Sequence, residues 1–292
     1  MDQVTDHDHV EVRANGLVFT GVASGPPGGR PVVLLHGFPQ TSYSWHHQLD
    51  ALAAAGYRAV AFDQRGYSAG ARPEGVEDYR IEHLVGDVVA VADALHLDRF
   101  DLVGHDWGAM VAWVTAWAHR DRVRTLTAVS VPHPKGFAGA LGGGDDDQRE
   151  RSSYIEVFRR EGGVAERALL GEDGSGDGLR RMFDVTGLAS DTEEVRRFVA
   201  AMLEPRAMTA ALNWYRASEP AALASVGPIS APTLYVWSTG DVAIGRRAAE
   251  ATAEWVTGPY RFVVLEDVSH WIPETAPNEL NRSLLDHLAS HR

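Results

Sequence analysis

The feature that most constrains this chain is the run Gly104-His105-Asp106-Trp107-Gly108, which lies between two apolar stretches. Residues 100–103 before it have the pattern of a short buried strand, and residues 109–119 after it have that of a helix. Glycines on both sides of the central residue allow the chain to turn sharply and to lift that residue above the sheet. The run therefore predicts a strand–turn–helix unit with Asp106 at its apex.

Strand patterns and helix patterns alternate along most of the chain. An Asn15-Gly16 turn between residues 10–13 and 17–19 predicts a hairpin. The alternation predicts an α/β fold with a mostly parallel, doubly wound sheet and helices on both faces. Further strands are predicted at 31–35, 57–62, 123–131, 233–237 and 261–265, and further helices at 45–55, 81–95 and 276–289.

The alternation stops after residue 131. Gly- and Asp-rich stretches at 142–147 and 171–178 look flexible, and no β-rich run follows until residue 233. We therefore expect a core domain of residues 1–131 and 221–292, with a helical lid inserted at 132–220. The clearest helical patterns in that insertion are 154–160, 192–202 and 207–216.

Composition excludes several classes of function. The net charge of −13 argues against binding to nucleic acid or to anionic membranes. No apolar run approaches the length of about 18 residues that a membrane helix needs, and the first ten residues lack the pattern of a secretory signal. The chain contains no Cys, so disulfides and thiolate zinc sites are ruled out. A cytoplasmic location fits these features.

An Asp at the apex of such a turn suggests nucleophilic chemistry. A carboxylate is ionised near neutral pH and can attack a saturated carbon without a base, forming an ester. Hydrolysis of that ester needs a base, for which His270 after the last strand is the candidate. Asp241, just past the strand at 233–237, is the candidate that orients it. Taken alone, Asp106 has a structural alternative, a buried, hydrogen-bonded Asp in a Gly-rich turn.

The loop His36-Gly37-Phe38-Pro39 follows the predicted strand at 31–35. When water attacks the ester, negative charge develops on a carboxyl oxygen of Asp106. Backbone N–H groups of Phe38 and Trp107 are placed to stabilise that charge as an oxyanion hole. We expect His105 to pack or to hydrogen-bond locally and the run from Asp63 to Tyr67 to be a structural turn.

These motifs resemble those of the epoxide hydrolases of the α/β-hydrolase superfamily, over roughly residues 10–288. Asn213-Trp214-Tyr215-Arg216 resembles the lid motif whose Tyr donates a hydrogen bond to the epoxide oxygen, and Tyr154 resembles the second lid Tyr. The resemblance implies conversion of an epoxide to a vicinal diol, with no cofactor and no metal. It implies that Tyr154 and Tyr215 protonate the oxygen while Asp106 attacks the carbon.

The resemblance also implies a small-molecule, apolar epoxide as substrate, while the net charge of −13 predicts no nucleic-acid partner and, with the lack of a long apolar run, no membrane partner. Haloalkane dehalogenases share the nucleophile, the base and Trp107, so halide release is the alternative reaction; a non-catalytic binding protein of this fold is the third. The lid helices could form either a homodimer contact or a substrate tunnel. Residues expected to contact substrate are His36, Pro39, Trp107, Trp214 and Trp271.

Overall fold

The structure, a computed structural model, describes residues 7–291. One mixed sheet of eight strands crosses the molecule, and its chain order agrees with the predicted alternation. The strands are β1 Asp8–Ala14, β2 Leu17–Ser24, β3 Pro31–Leu35, β4 Arg58–Phe62, β5 Phe100–His105, β6 Val123–Val129, β7 Thr233–Ser238 and β8 Tyr260–Leu265.

The strands lie in the order β1-β2-β4-β3-β5-β6-β7-β8. β1 and β2 form the predicted antiparallel hairpin, and Asn15 and Gly16 both have positive φ, as a tight hairpin turn requires. From β4 to β8 all neighbours are parallel. The order of strands reverses at β3, so the loops after β3 and β5 meet at the switch point where such sheets form their ligand crevice.

Apolar residues of the central strands alternate between two cores. Val32 and Leu34 of β3 point to the face that packs against the helices at 46–54 and 277–290. Val33 and Leu35 point to the opposite face, whose apolar core continues into the helices between β6 and β7. Burial on both faces explains why these strands are continuous apolar runs. The predicted doubly wound α/β architecture is confirmed.

Within residues 7–291, six α-helices flank the sheet outside the stretch between β6 and β7. They are α1 His46–Ala54, α2 Ile81–Ala94, α3 Trp107–Ala118, α12 Arg246–Glu250, α13 Ile272–Thr275 and α14 Pro277–Ser290. Four short 3-10 helices cover Ser42–Trp45, Ala69–Ala71, Val76–Tyr79 and Ala251–Trp255.

The chain between β6 and β7 is helical. It contains α4 Pro134–Gly142, α5 Asp146–Arg151, α6 Tyr154–Phe158, α7 Val164–Leu170, α8 Asp177–Val185, α9 Glu193–Met202, α10 Ala207–Ala217 and α11 Pro220–Ala224. The Gly-rich stretches are shorter connections than their composition suggested. In the first stretch, α5 already begins at Asp146, because the Asp145 side chain caps that helix by accepting the Gln148 N–H.

The turn from Asp63 to Tyr67 is held by polar contacts beneath the sheet edge, as expected. The Arg65 guanidinium binds both oxygens of Asp87 at 2.6 and 2.8 Å, and both side chains are buried. Asp63 accepts the backbone N–H of Ser42 at 2.7 Å. Across residues 7–291, none of the helices combines the length and the apolar character that crossing a membrane requires.

Candidate active site

Asp106 lies at the apex of the turn between β5 and α3. Its φ of 52° and ψ of −123° are unusual for a residue with a side chain, and such strain is found where a functional group must be aimed. Gly104 and Gly108 permit the turn, because a Cβ on Gly104 would overlap Gly108 and one on Gly108 would overlap the backbone of Leu35. The turn places the Asp106 carboxylate at the switch point of the sheet.

The loop after β3 meets Asp106 directly. The Phe38 N–H donates to Asp106 Oδ1 at 2.7 Å. Gly37 has no room for a Cβ, which would overlap the Asp106 side chain. Trp107 is the first residue of α3, so its N–H has no acceptor within the helix. Of the two N–H groups nominated from the sequence, that of Phe38 therefore contacts the Asp106 carboxylate, and that of Trp107 belongs to the residue that directly follows Asp106.

His270 lies between two carboxylates. Its Nε2 is 3.5 Å from Asp106 Oδ2, and its Nδ1 is 3.0 and 3.1 Å from the two oxygens of Asp241. Asp241 Oδ1 also accepts the N–H groups of Ala243 and Ile244 at 2.8 and 3.0 Å. The structure thus brings together the three side chains that the sequence singled out, in the order carboxylate, imidazole, carboxylate.

The two carboxylates change the protonation of the imidazole. Burial opposes a charged ring, but the charge of Asp241 and the hydrogen bond with Asp106 prevail and raise the pKa of His270 to about 10. Burial likewise opposes the ionised form of Asp106, yet the hydrogen bond and charge of His270 hold the pKa of Asp106 below its ordinary value. The resting site therefore holds an ionised Asp106 beside a protonated His270.

Ser130, at the end of β6, was not singled out from the sequence. Its hydroxyl donates to Asp241 Oδ2 at 2.5 Å and lies 2.9 Å from His270 Nδ1. Ser130 has a positive φ of 68°, which turns the chain at the strand end. Its position at the carboxyl end of a parallel strand is the one signal in the sequence, because a serine by itself does not indicate a partner of the base.

Tyr154 and Tyr215 face the same space as Asp106. Their ring centroids are 6.3 Å apart, and the Tyr215 ring packs edge-on against Phe38 and Trp107, with centroids 5.2 Å away in both cases. Burial is the main cause that raises the pKa of each phenol above its ordinary value, and the nearby Asp106 charge adds to it. Both tyrosines therefore stay protonated and can donate hydrogen bonds into the site.

Two adjoining cavities open over Asp106. Each has an empty volume of about 610 Å³, part of it open to solvent, and both are lined mainly by apolar side chains. Asp106, Tyr154 and Tyr215 line both cavities, whereas His270 lines only the second. An apolar space with a few convergent polar groups is suited to a small, weakly polar molecule.

The five residues expected to contact substrate fall into two groups. Trp107 lines the first cavity and Trp271 the second. His36, Pro39 and Trp214 line neither, so the structure does not place them against the cavities.

Each of these three has a structural setting instead. The His36 ring is fully buried and contacts Gly37 O and the Gln64 N–H. The Trp214 indole donates to Arg65 O at 2.8 Å. Pro39 is buried in the loop that follows Phe38.

Metal-ligand spacing occurs once within residues 7–291. His46, His47 and Glu194 offer ligand atoms that all lie within 4.8 Å of one another. None of the three lines a cavity that contains Asp106. The groups that the structure places around Asp106 are an imidazole, two phenols and the backbone N–H of Phe38.

Comparison with known proteins points in one direction. Residues 30–277 match the family model described as the alpha/beta hydrolase fold. Epoxide hydrolase A of Mycobacterium tuberculosis is 33% identical, with 95% of this chain and 96% of the relative covered. The AB hydrolase superfamily protein YfhM of Bacillus subtilis is also 33% identical, with the same coverage. The crystal structure of Epoxide Hydrolase A from Mycobacterium thermoresistibile superposes with a TM-score of 0.83 at 32% identity, covering 98% of this chain and 99% of that one.

Proposed function

The chain belongs to the α/β-hydrolase family, and from that premise we propose that it is an epoxide hydrolase that converts a small apolar epoxide to a vicinal diol. The observation that carries the proposal is that an ionised Asp106 and two protonated tyrosines, Tyr154 and Tyr215, line the same cavities. Opening an epoxide requires a nucleophile at a ring carbon and an acid that protonates the ring oxygen. The cavities supply one nucleophile and two acids around an apolar space.

In the first step, one Asp106 oxygen attacks an epoxide carbon and the bond from that carbon to the ring oxygen breaks. The new bond is an alkyl ester. The released oxygen is a strong base, and it takes a proton from the phenol of Tyr154 or Tyr215. Their raised pKa values keep the protons in place until the oxygen becomes basic.

In the second step, ester formation itself prepares the base. The esterified Asp106 carries no charge, so one of the two carboxylates that raise the pKa of His270 is lost. His270, oriented by Asp241, then gives up its proton, which restores the one that the tyrosine gave to the ring oxygen. The neutral ring accepts a proton from water as the water oxygen attacks the Asp106 carboxyl carbon. Phe38 and Trp107 N–H groups stabilise the oxyanion, and its collapse releases the diol and restores the carboxylate.

We also propose that residues 132–220 act as a lid over a core of residues 1–131 and 221–292. Support comes from Tyr154 on α6 and Tyr215 on α10, which bring phenols from the insertion to the nucleophile of the core. A homodimer and a cytoplasmic location stay predictions from the sequence.

Haloalkane dehalogenation is the second candidate, because the side chain of Trp107 lines the first cavity and its indole N–H is a donor that a leaving halide could use. The two phenols favour the epoxide. A halide leaves as a stable anion and needs no proton, so dehalogenation would require neither phenol as an acid.

The test is a single-turnover reaction, with enzyme in excess, of styrene oxide in oxygen-18 water. We expect diol without the label, and oxygen-18 in the peptide that carries Asp106, since water attacks the enzyme ester and not the substrate carbon. Label in the first-turnover diol would show direct attack of water on the epoxide and refute the ester. Halide release from 1-bromobutane, assayed in parallel without diol formation from styrene oxide, would favour the dehalogenase.

Two matched variants separate the phenol from general effects of losing a hydroxyl. Tyr215→Phe should lower diol formation strongly, because it removes a donor that faces Asp106. Tyr260→Phe removes a buried hydroxyl that has no hydrogen-bond partner among the described residues, and it should leave diol formation unchanged. Equal activity of both variants would assign Tyr215 to packing between insertion and core.

A further inference from the structure

Three polar side chains, His105, Gln40 and Glu274, form a hydrogen-bonded series that begins at the backbone of His270 and has no role in the proposed mechanism. His105 Nε2 lies 2.9 Å from the backbone carbonyl oxygen of His270, and His105 Nδ1 lies 2.9 Å from the side-chain amide of Gln40. The other end of that amide contacts Glu274 Oε1. The expectation that His105 packs or hydrogen-bonds locally is therefore wrong: its partners come from the loop after β3 and from the loop that carries the base.

The donor and acceptor of each hydrogen bond in this series can be assigned by starting from the backbone carbonyl of His270. A backbone carbonyl only accepts, so His105 Nε2 must carry a hydrogen. Burial is the main cause that lowers the pKa of His105 to about 4, and the neighbouring His270 charge adds to it, so the ring is neutral near pH 7. A neutral ring has one N–H, and His105 Nδ1 must therefore accept. The group of Gln40 that faces it is then the NH2, because the two ends of a side-chain amide are told apart by their hydrogen-bond partners.

This orientation decides the state of Glu274. With its NH2 towards His105, Gln40 presents its oxygen to Glu274 Oε1. Two oxygens in hydrogen-bond contact need a proton between them, so Glu274 must be a protonated donor. The residue is half-buried, but its Oε2 is shut off from solvent and has no hydrogen-bond partner among residues 7–291.

The surroundings of Glu274 favour that form. Burial of the carboxyl group raises the pKa of Glu274 well above its ordinary value, and the negative charge of Glu194, on α9, adds to the effect. A hydrogen bond with its own backbone N–H and the charge of His270 act in the opposite direction but are smaller than the effect of burial. Among the described residues, Glu194 and His270 are the charged side chains whose fields act on the Glu274 carboxyl.

We propose that Glu274 is held in its protonated form and is the terminal donor of a relay, Glu274–Gln40–His105, that positions the backbone of the base residue His270. Glu274 is a positioning residue, since it touches neither cavity. The kinetic part of this inference rests on the proposed role of His270 as the base.

The relay is sensitive to pH in one direction. Ionised Glu274 accepts and cannot donate, so the Gln40 amide must reverse to offer its NH2. His105 Nδ1 then faces an oxygen and loses its donor. Activity that depends on the relay is present while Glu274 is protonated and falls as the pH rises through its raised pKa.

Kinetics of two variants test this dependence. Glu274→Gln keeps a donor, an N–H, but has no proton to lose, so kcat should stay within about threefold of wild type and the alkaline fall should move to higher pH. Glu274→Leu removes the donor, and kcat should drop about tenfold with KM unchanged. Glu279→Gln, an exposed change on α14, is the matched control and should leave the pH profile unaltered. An unshifted alkaline fall in Glu274→Gln, or full kcat in Glu274→Leu, would overturn the proposal.

Nitrogen-15 NMR of the histidine rings tests the relay without any substrate. Near pH 7, His105, assigned by its absence from a His105→Gln sample, should carry one proton on Nε2 in wild type and in Glu274→Gln. A His105 protonated on both nitrogens in the wild type would place the proton on His105 and leave Glu274 ionised, which overturns the relay. Absence of diol from the wild-type enzyme would instead refute the proposed function, whatever the NMR result.

Discussion

Replacing Asp106 by Asn mimics the electrostatic change that ester formation makes, because Asn is neutral and almost the same shape. In the wild type, Asp106 Oδ2 lies 3.5 Å from His270 Nε2 and both side chains are nearly inaccessible. The mechanism requires that loss of this one charge makes His270 a usable base. The pKa of His270 in Asp106→Asn therefore measures whether the site works as described.

The magnitude follows from the distance. Two unit charges 3.5 Å apart interact by about 5 kcal/mol at an effective dielectric constant of about 20. Since about 1.4 kcal/mol corresponds to one pH unit, removing the Asp106 charge should lower the pKa of His270 by about three pH units. The wild-type pKa is about 10, so the fall brings His270 from protonated to a state that titrates close to neutral pH.

The assay is an NMR titration of the His270 ring in both proteins, with the signal assigned by its absence from His270→Gln. Intact mass must confirm that the introduced Asn side chain has not been hydrolysed back to Asp during the titration. A His270 midpoint in Asp106→Asn that lies within about one pH unit of wild type would refute the reasoning. The Asp106 charge would then be too well screened to switch the base.

The same pair links pH to folding stability. The folded pKa of His270 lies above its ordinary value of 6.5, so its contribution to the free energy of unfolding is complete below pH 6.5. The contribution is lost as the pH rises towards about 10. Asp106→Asn should lose less stability over that interval than wild type, as measured by urea unfolding at a series of pH values. An equal loss in both proteins would argue against the pair as its source.

Three further outcomes are expected. His270→Gln should form the ester and fail to hydrolyse it, so intact mass after addition of styrene oxide should show one covalent adduct; sustained turnover would mean that the base is misassigned. Tyr154→Phe and Tyr215→Phe should each lower kcat/KM by about 10- to 100-fold, and the double variant should fall below either one; a double variant as active as its parents would leave the phenols without a role as acids. Asp87→Ala should lower the free energy of unfolding by about 3–5 kcal/mol, because the Arg65 guanidinium is left buried without its carboxylate; a loss below about 1 kcal/mol would show that solvent reaches Arg65.

Local signals in the sequence were sufficient for the architecture. Asn15-Gly16 predicted the first hairpin because both positions need positive φ, which Asn and Gly tolerate. Gly104 and Gly108 predicted the turn at Asp106 because no side chain fits beside the backbone there. Between β6 and β7, helices α4, α5, α7, α8 and α11 were not predicted, since short helices have weak periodicity and depend on the surface they pack against.

Some residues of the candidate site could likewise be predicted from the sequence, and others could not. Asp106, Asp241 and His270 could be named from the sequence because each follows a parallel strand, and the carboxyl ends of such strands meet at one edge of the sheet. Ser130 follows a strand too, yet a serine hydroxyl acquires its role only from the carboxylate and the ring that flank it in space. Trp214 shares a motif with Tyr215 but points to Arg65 O, because neighbours on a helix face different directions.

By itself the sequence determined what is encoded in neighbouring residues: the order of strands and helices, the sharp turns and the chemical type of each catalytic candidate. Only the tertiary structure decided what depends on contacts between distant parts of the chain. It placed His270 within 3.5 Å of Asp106, enclosed the phenols of Tyr154 and Tyr215, and connected Glu274 to the base loop through Gln40 and His105. Protonation belongs to this second class, because burial and opposing charges set it and neither is a property of a residue in its sequence.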